Sequence, residues 1–312
     1  MRRLIPLVLI PVLAACTAAG AKQSERAGLG APQVATTPST APSPQPVSGT
    51  APSRAYAVGT RTLKLSNGTD RPLPTTLYYP ATGASGRAPR ANATPASGRF
   101  PVVVFSHGLG GNAAAYQSLL ARWAAAGFVI VAPAYPHTSF GVAKFEVLDV
   151  VNQPGDASYA LTKVLALDGH ADPARIAAAG HSAGAITTVG LFTTKRDVRL
   201  RAGIVLAGNG FGFGDGYTGP AASLLFVHGK QDSTTPYSLG QAAYAKVPWP
   251  KAFLTMPGEA HIDPYLKPGD KAFEAVARAT IEFLRWTMYG DRAALQRLPR
   301  AAAGVGTLDN HL

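Results

Sequence analysis

The sequence predicts an α/β domain: a mostly parallel sheet of about eight strands, helices on both faces, and no large lid. Three observations predict it. From about residue 56 onward, strand-like runs alternate with helical stretches. Several of the runs are continuously apolar, as strands buried on both faces must be. Three of them end in His or Ser followed by Gly, at the sheet edge where such folds bind ligands.

The elements follow in order. YAVGTRTLKLS and PTTLYYPA read as an opening hairpin, and ATGASGRAPRANATPASGR as a polar loop. PVVVFSHG (101–108) is a buried strand, followed by a helix at about 113–126 and the strand FVIVAPAY. NQPGDASYALTKVLALD is a helix with Pro154 near its first turn, where proline is tolerated. ARIAAAGHS is a strand, AGAITTVGLFTT a helix, and RAGIVLAG and ASLLFVHG are strands. PYSLGQAAYAKV is a helix, KAFLTMPG a strand, and KAFEAVARATIEFLRWTMY the closing helix. The domain is expected over 56–290, with 291–312 as a C-terminal tail.

What precedes the domain has a different character. MRR and LIPLVLIPVLAA form the charged and apolar parts of an export signal, the apolar run being too short to span a bilayer. LAAC (13–16) closes this 1–16 signal segment and resembles the lipobox of bacterial lipoproteins, which implies cleavage directly before Cys16 and lipidation of that cysteine. Ordinary cleavage near Ala19-Gly20-Ala21 is the alternative. Residues 17–55, rich in Pro, Ala, Ser and Thr, cannot bury enough apolar surface to order themselves and read as a disordered tether. The expectation is an exported monomer, anchored by lipid to the outward face of the cell membrane, or else secreted. Cys16 is the only cysteine, so the fold stands without an intramolecular disulfide.

The 312 residues carry a net charge of +12. The Arg and Lys residues are scattered and not interleaved with aromatics, so a solvated basic surface is expected and a nucleic-acid partner is not. No spacing of metal ligands is present, and no cofactor is expected. GNGFGFGDG (208–216) is glycine-rich but lacks the dinucleotide spacing. It reads as a mobile loop beside the cleft, with Phe211 and Phe213 as apolar contacts for substrate or as packing of the loop itself.

The chemistry centres on GHSAG (180–184). Strand, G-x-S-x-G, then helix is the setting of a nucleophile elbow, in which two glycines allow a sharp turn with the serine at its tip. A serine N-cap is the plainer reading. A serine hydroxyl needs a base to take its proton and an acid to orient that base. Elbow enzymes carry them in the order Ser, acid, His, and this chain has Asp232 in HGKQDSTTP and His261 in MPGEAHIDPY. Asp215 is the competing acid, and Asp263 is too near His261 in sequence to orient it readily. His181 and His137 are expected to line the pocket and His228 to support the Asp232 loop, while His170 and His311 look exposed. The oxyanion donors are expected to be the backbone N–H groups of Ala183 and, from the glycine-rich loop SHGLGGN, Leu109.

LYYPA, VVVFSHGLGGN, GFVIVAPAYPH, GHSAG, HGKQD and GEAH together resemble the α/β-hydrolase fold over about 60–290. Within it they are similar to the dienelactone-hydrolase-like, platelet-activating-factor-acetylhydrolase-like and cutinase-like polyester hydrolase branch. The resemblance implies Ser182, Asp232 and His261 as a triad. Dienelactone hydrolases proper use a Cys nucleophile, which this chain lacks. The acetylhydrolases carry the acid after the strand that here ends VLAGN, so Gly208 and Asn209 there favour the cutinase-like acid, Asp232. The expected activity is a serine esterase acting on short-chain or bulky, polymeric esters. An acyltransferase, a lipase of the acetylhydrolase type, a peptidase and a non-catalytic envelope-binding lipoprotein are the alternatives.

Overall fold

Ten strands form one sheet in a computed structural model that describes residues 43, 44, 47, 49–211, 213 and 216–312. Export signal 1–16 with Cys16, and most of the tether, lie outside the described residues. The strands are β1 (Ala57–Ser66), β2 (Pro72–Ala81), β3 (Arg90–Ala91), β4 (Phe100–Ser106), β5 (Val129–Pro133), β6 (Ala171–His181), β7 (Leu200–Leu206), β8 (Ser223–Gly229), β9 (Lys251–Met256) and β10 (Thr307–His311). Their order across the sheet is β10-β9-β8-β7-β6-β4-β5-β2-β1-β3. The six central strands are parallel, while β1 pairs antiparallel with β2, β2 with β5, and β10 with β9.

Strand periodicity divides the core into two layers. Val103 and Phe105 of β4 point to one face. There they meet helices α1 (Gln117–Ala125) and α6 (Lys271–Tyr289), with Leu119, Trp123, Phe273 and Phe283 fully buried. Val102 and Val104 point to the other, against α2 (Gln153–Leu167), α3 (Ala183–Phe192) and α4 (Tyr237–Ala245). The indole N–H of Trp123 donates to Thr280 Oγ1 at 2.9 Å, which satisfies the one polar atom of the largest core side chain.

The structure bears out the predicted fold class and departs from the expectations at its margins. Two strands are added to the expected eight, both at sheet edges. The C-terminal tail is folded: Asp291 caps α7 (Arg292–Ala301) by accepting from the Ala294 N–H, and β10 extends the sheet beyond β9. An edge strand with one wet face needs no apolar run, and TLDNH has none. Part of the predicted tether also lies on the domain, since Arg285 donates to the Pro52 carbonyl at 3.1 Å. Among the described residues of 207–222 there is no helix, and none of the described helices is long and apolar enough to cross a membrane.

Candidate active site

Ser182 stands between β6 and α3 with φ +58° and ψ −121°. That backbone is costly for a residue with a Cβ and persists only where the surroundings impose it. Here they do. The Ser182 N–H donates to the Leu206 carbonyl at 2.9 Å, and the Ser182 carbonyl accepts from Ala185 and Ile186 to start α3. A Cβ on Gly184 would overlap the Ser106 carbonyl, and one on Gly180 would overlap the Gly184 carbonyl. Both glycines are therefore required by close approach, as the G-x-S-x-G reading expects.

The loops after β8 and β9 bring the other two groups to this tip. Gln231 N–H donates to the Glu259 carbonyl at 2.9 Å, so the two loops are pinned side by side. His261 Nε2 lies 2.8 Å from Ser182 Oγ, and His261 Nδ1 lies 2.7 Å from Asp232 Oδ2. Asp232 Oδ1 accepts from the N–H groups of Thr234 and Thr235 at 2.9 and 2.7 Å. His228 Nε2 reaches both the Thr235 carbonyl at 2.8 Å and Asp232 Oδ2 at 3.2 Å. Burial pushes the Asp232 carboxyl up, but the bonds from His228, His261 and Thr235 outweigh it and hold the group well below the usual carboxylate range. The carboxylate is thus ionised and fully engaged. It fixes the His261 tautomer with Nδ1 as donor, which leaves Nε2 to accept the Ser182 proton.

Among the described residues, two backbone donors in the segments beside the serine are left unbonded. A Cβ on Gly108 would lie 3.2 Å from Ser182 Cβ, so the glycine-rich loop after β4 runs against the elbow. In that loop the N–H groups of Gly108, Gly110 and Gly111 donate to Tyr116 Oη, Thr138 O and Gly108 O. The N–H of Leu109 has no acceptor among the described residues, and neither has that of Ala183 at the first turn of α3. Free donors of this kind, held by a fixed backbone, suit a developing oxyanion.

Several expected contacts are corrected. His181 does not line the pocket. It is 1% exposed, with Nδ1 bonded to Tyr116 Oη at 2.8 Å and Nε2 to the His261 carbonyl at 2.8 Å. The elbow turns the residue before the serine inward, beneath the site. His137 is half-buried and bonds the Lys144 carbonyl at 3.3 Å, and no contact joins it to the Ser182 group. Phe213 is buried, its ring packed where a Cβ on Gly190 would lie 3.0 Å away, so it fills the protein and not a substrate site. Phe211 is half exposed and lines a cavity of about 240 Å³ with Tyr217 and Leu239. Asp263 begins the short helix α5 (Asp263–Leu266) and pairs with Lys267, and Asp215 lies outside the described residues. Supporting residues escaped the sequence reading. Tyr116 carries no motif and reads as one more helix residue. His107, in the strand end SHG, was open to the same reasoning as its neighbours: its Nε2 lies 2.9 Å from Ser139 Oγ.

Residues 85–207 match the family model described as Chlorophyllase, a family of α/β-hydrolase-like esterases. The matched span holds Leu109, Ser182 and Ala183 and ends before Asp232 and His261. No curated protein matches the chain. The sheet, its covering helices and this match together give the chain the α/β-hydrolase fold and support its place in the hydrolase superfamily.

Proposed function

We propose that the chain is a serine carboxylic-ester hydrolase that works through an acyl-enzyme. The observation that carries this reading is the hydrogen-bonded line from Ser182 through His261 to Asp232 on a strained elbow. His261 Nε2 takes the Ser182 proton as Oγ attacks the ester carbonyl, and the N–H groups of Leu109 and Ala183 receive the oxyanion. His261 then gives its proton to the leaving alcohol. Water enters and attacks the acyl carbon as it loses a proton to His261, and His261 returns that proton to Ser182 Oγ as the acid leaves. Asp232 stays ionised throughout and stabilises the imidazolium. Similarity to an esterase family supports carboxylic esters as substrates. The lack of a helix among the described residues of 207–222 suits bulky esters, including polymers of the cutinase-like type.

A fluorophosphonate probe should label the protein once, and Ser182→Ala should abolish both labelling and hydrolysis of p-nitrophenyl acetate. Labelling that persists in Ser182→Ala would end this reading. The sequence LAAC behind an apolar run further supports export and attachment to the cell membrane through lipid on Cys16. Incorporation of labelled palmitate, lost in Cys16→Ala, is the expected result. An unlabelled protein released into the medium would leave simple secretion.

A further inference from the structure

Eleven large apolar side chains are exposed among the described residues. Nine stand on loops, short helices or first helical turns that follow the carboxyl ends of strands, around Ser182; the other two, Leu167 and Val198, lie at the opposite edge. Six of the nine lie on the oxyanion loop or on the segment that follows β5: Leu109, Phe140, Phe145, Val147, Leu148 and Val151. Gly110 donates to the Thr138 carbonyl at 2.7 Å and Phe140 donates back to the Gly111 carbonyl at 2.9 Å, so residue 140 lies against the loop that holds Leu109. Phe140 and Leu148 are 71% and 69% exposed.

This surface is held from beneath. Ser139 bonds His107, and Gln153 donates to Thr138 Oγ1 at 2.6 Å while accepting from Thr187 at 2.6 Å. In the 3-10 helix Val147–Val151, Asp149 is turned inward to Arg71 at 2.9 Å while Val147, Leu148 and Val151 face out. Thr138, Ser139, Asp149 and Gln153 anchor the segment, the exposed Lys144 pairs with Glu146, and Phe140, Phe145, Val147, Leu148 and Val151 are left in water. Folding alone does not call for that arrangement, and apolar patches of this kind mark binding surfaces.

Sheet order decides what binds. Ser182 follows β6; on one side, beyond β7, strands β8 and β9 deliver Asp232 and His261, while β4 and β5 on the other deliver Leu109 and the 134–152 segment. In the reaction proposed above, the leaving oxygen must sit at His261 Nε2 and the oxyanion at the Leu109 and Ala183 N–H groups. The acyl chain is the substituent directed away from His261. The geometry points to the shelf of Leu109, Phe140, Leu148 and their neighbours as an acyl-binding surface, and so to esters of long apolar acids as the substrate class. This rests on the serine-hydrolase reading of the site.

The test is the ratio of kcat/KM for p-nitrophenyl octanoate, kept below its solubility limit, to that for the acetate. Apolar contacts in such sites discriminate by about 10- to 100-fold. The native protein should favour the octanoate. Phe140→Ser with Leu148→Ser should lower the ratio at least tenfold, Phe140→Leu should keep most of it, and Leu167→Ser should not change it. A second series, acetates of alcohols of increasing length, should respond equally in native and variant proteins. The proposal is overturned by an unchanged octanoate ratio, by a loss that follows the alcohol instead, or by one seen only with vesicles, which would make the shelf a membrane contact. If Ser182→Ala keeps full activity, the reading of the site itself has failed, whatever the shelf does.

Discussion

His181 Nε2 donates to the backbone carbonyl of His261 at 2.8 Å, although 80 residues separate the two. The bond is one link in a buried series. Gly108 N–H donates to Tyr116 Oη at 3.1 Å, and the Tyr116 hydroxyl donates to His181 Nδ1 at 2.8 Å. The oxyanion loop and the His261 loop are therefore braced against each other beneath Ser182. The series works only with a neutral imidazole, since Nδ1 must accept. Burial, with His261 nearby, pulls the His181 pKa down to about 3, so it is neutral at neutral and mildly acidic pH.

Tyr116→Phe tests this brace. It removes the acceptor for Gly108 and the donor to His181 without changing the packing of the ring. Small displacements of positioned groups cost up to about 100-fold in rate. The expected outcome is a kcat lowered about 10- to 100-fold with KM within about twofold, read from p-nitrophenyl acetate kinetics. Equal kcat in the variant would show that the elbow and the Asp232 loop hold the site alone.

Much of this was legible because the chemistry sits where strands end. Ser182, Asp232 and His261 each follow an apolar run, and the glycines beside Ser182 announce a close approach. Burial of His181 was not legible. Residues 181 and 182 are neighbours in a sharp turn, and the direction each takes depends on the φ of +58° that sequence reports only indirectly. Tyr116 was invisible for another reason: its hydroxyl acts across a fold contact 65 residues away in the chain. The last strand, TLDNH, has no apolar alternation to betray it, whereas Gly290 and Asp291 did carry a helix stop and start.

Gly184→Ala should unfold the elbow. The added methyl meets backbone carbonyls of Ser106 and His107, which no side-chain rotation can relieve. Overpacking against backbone costs about 3 kcal/mol or more. The thermal midpoint should fall by several degrees and fluorophosphonate labelling should disappear with it. An alanine variant as stable and reactive as the native protein would mean that β6 and α3 can separate.

Acid should weaken the fold through two buried histidines. Burial lowers the His107 pKa to about 4 and the His181 pKa to about 3, against 6.5 when exposed. Between those values the unfolded chain binds protons that the folded chain refuses. Stability therefore falls as pH drops from about 6.5, by on the order of 3 kcal/mol for His107 and on the order of 5 kcal/mol for His181 over the full range of each. Urea titrations from pH 7 to pH 4 should show the loss. Tyr116→Phe should leave its slope nearly intact, because burial is the main cause.

Arg71 joins the β1–β2 turn to the segment that carries the apolar shelf. Its guanidinium bonds Asp149 at 2.9 Å through each terminal nitrogen and Asp156 at 2.5 Å, and both carboxylates are almost fully buried. Asn67 and Asn152 complete the carboxylate contacts at 3.0 and 2.8 Å. Removing the cation leaves two negative charges facing each other out of water, whereas removing all three charges leaves only a packing defect. Arg71→Met should then cost about 3–5 kcal/mol in urea unfolding. Arg71→Met with Asp149→Asn and Asp156→Asn should recover part of that loss, because the asparagines carry no charge. A triple variant no more stable than Arg71→Met would show that the guanidinium acts by packing and hydrogen-bond geometry, and not by neutralising the pair.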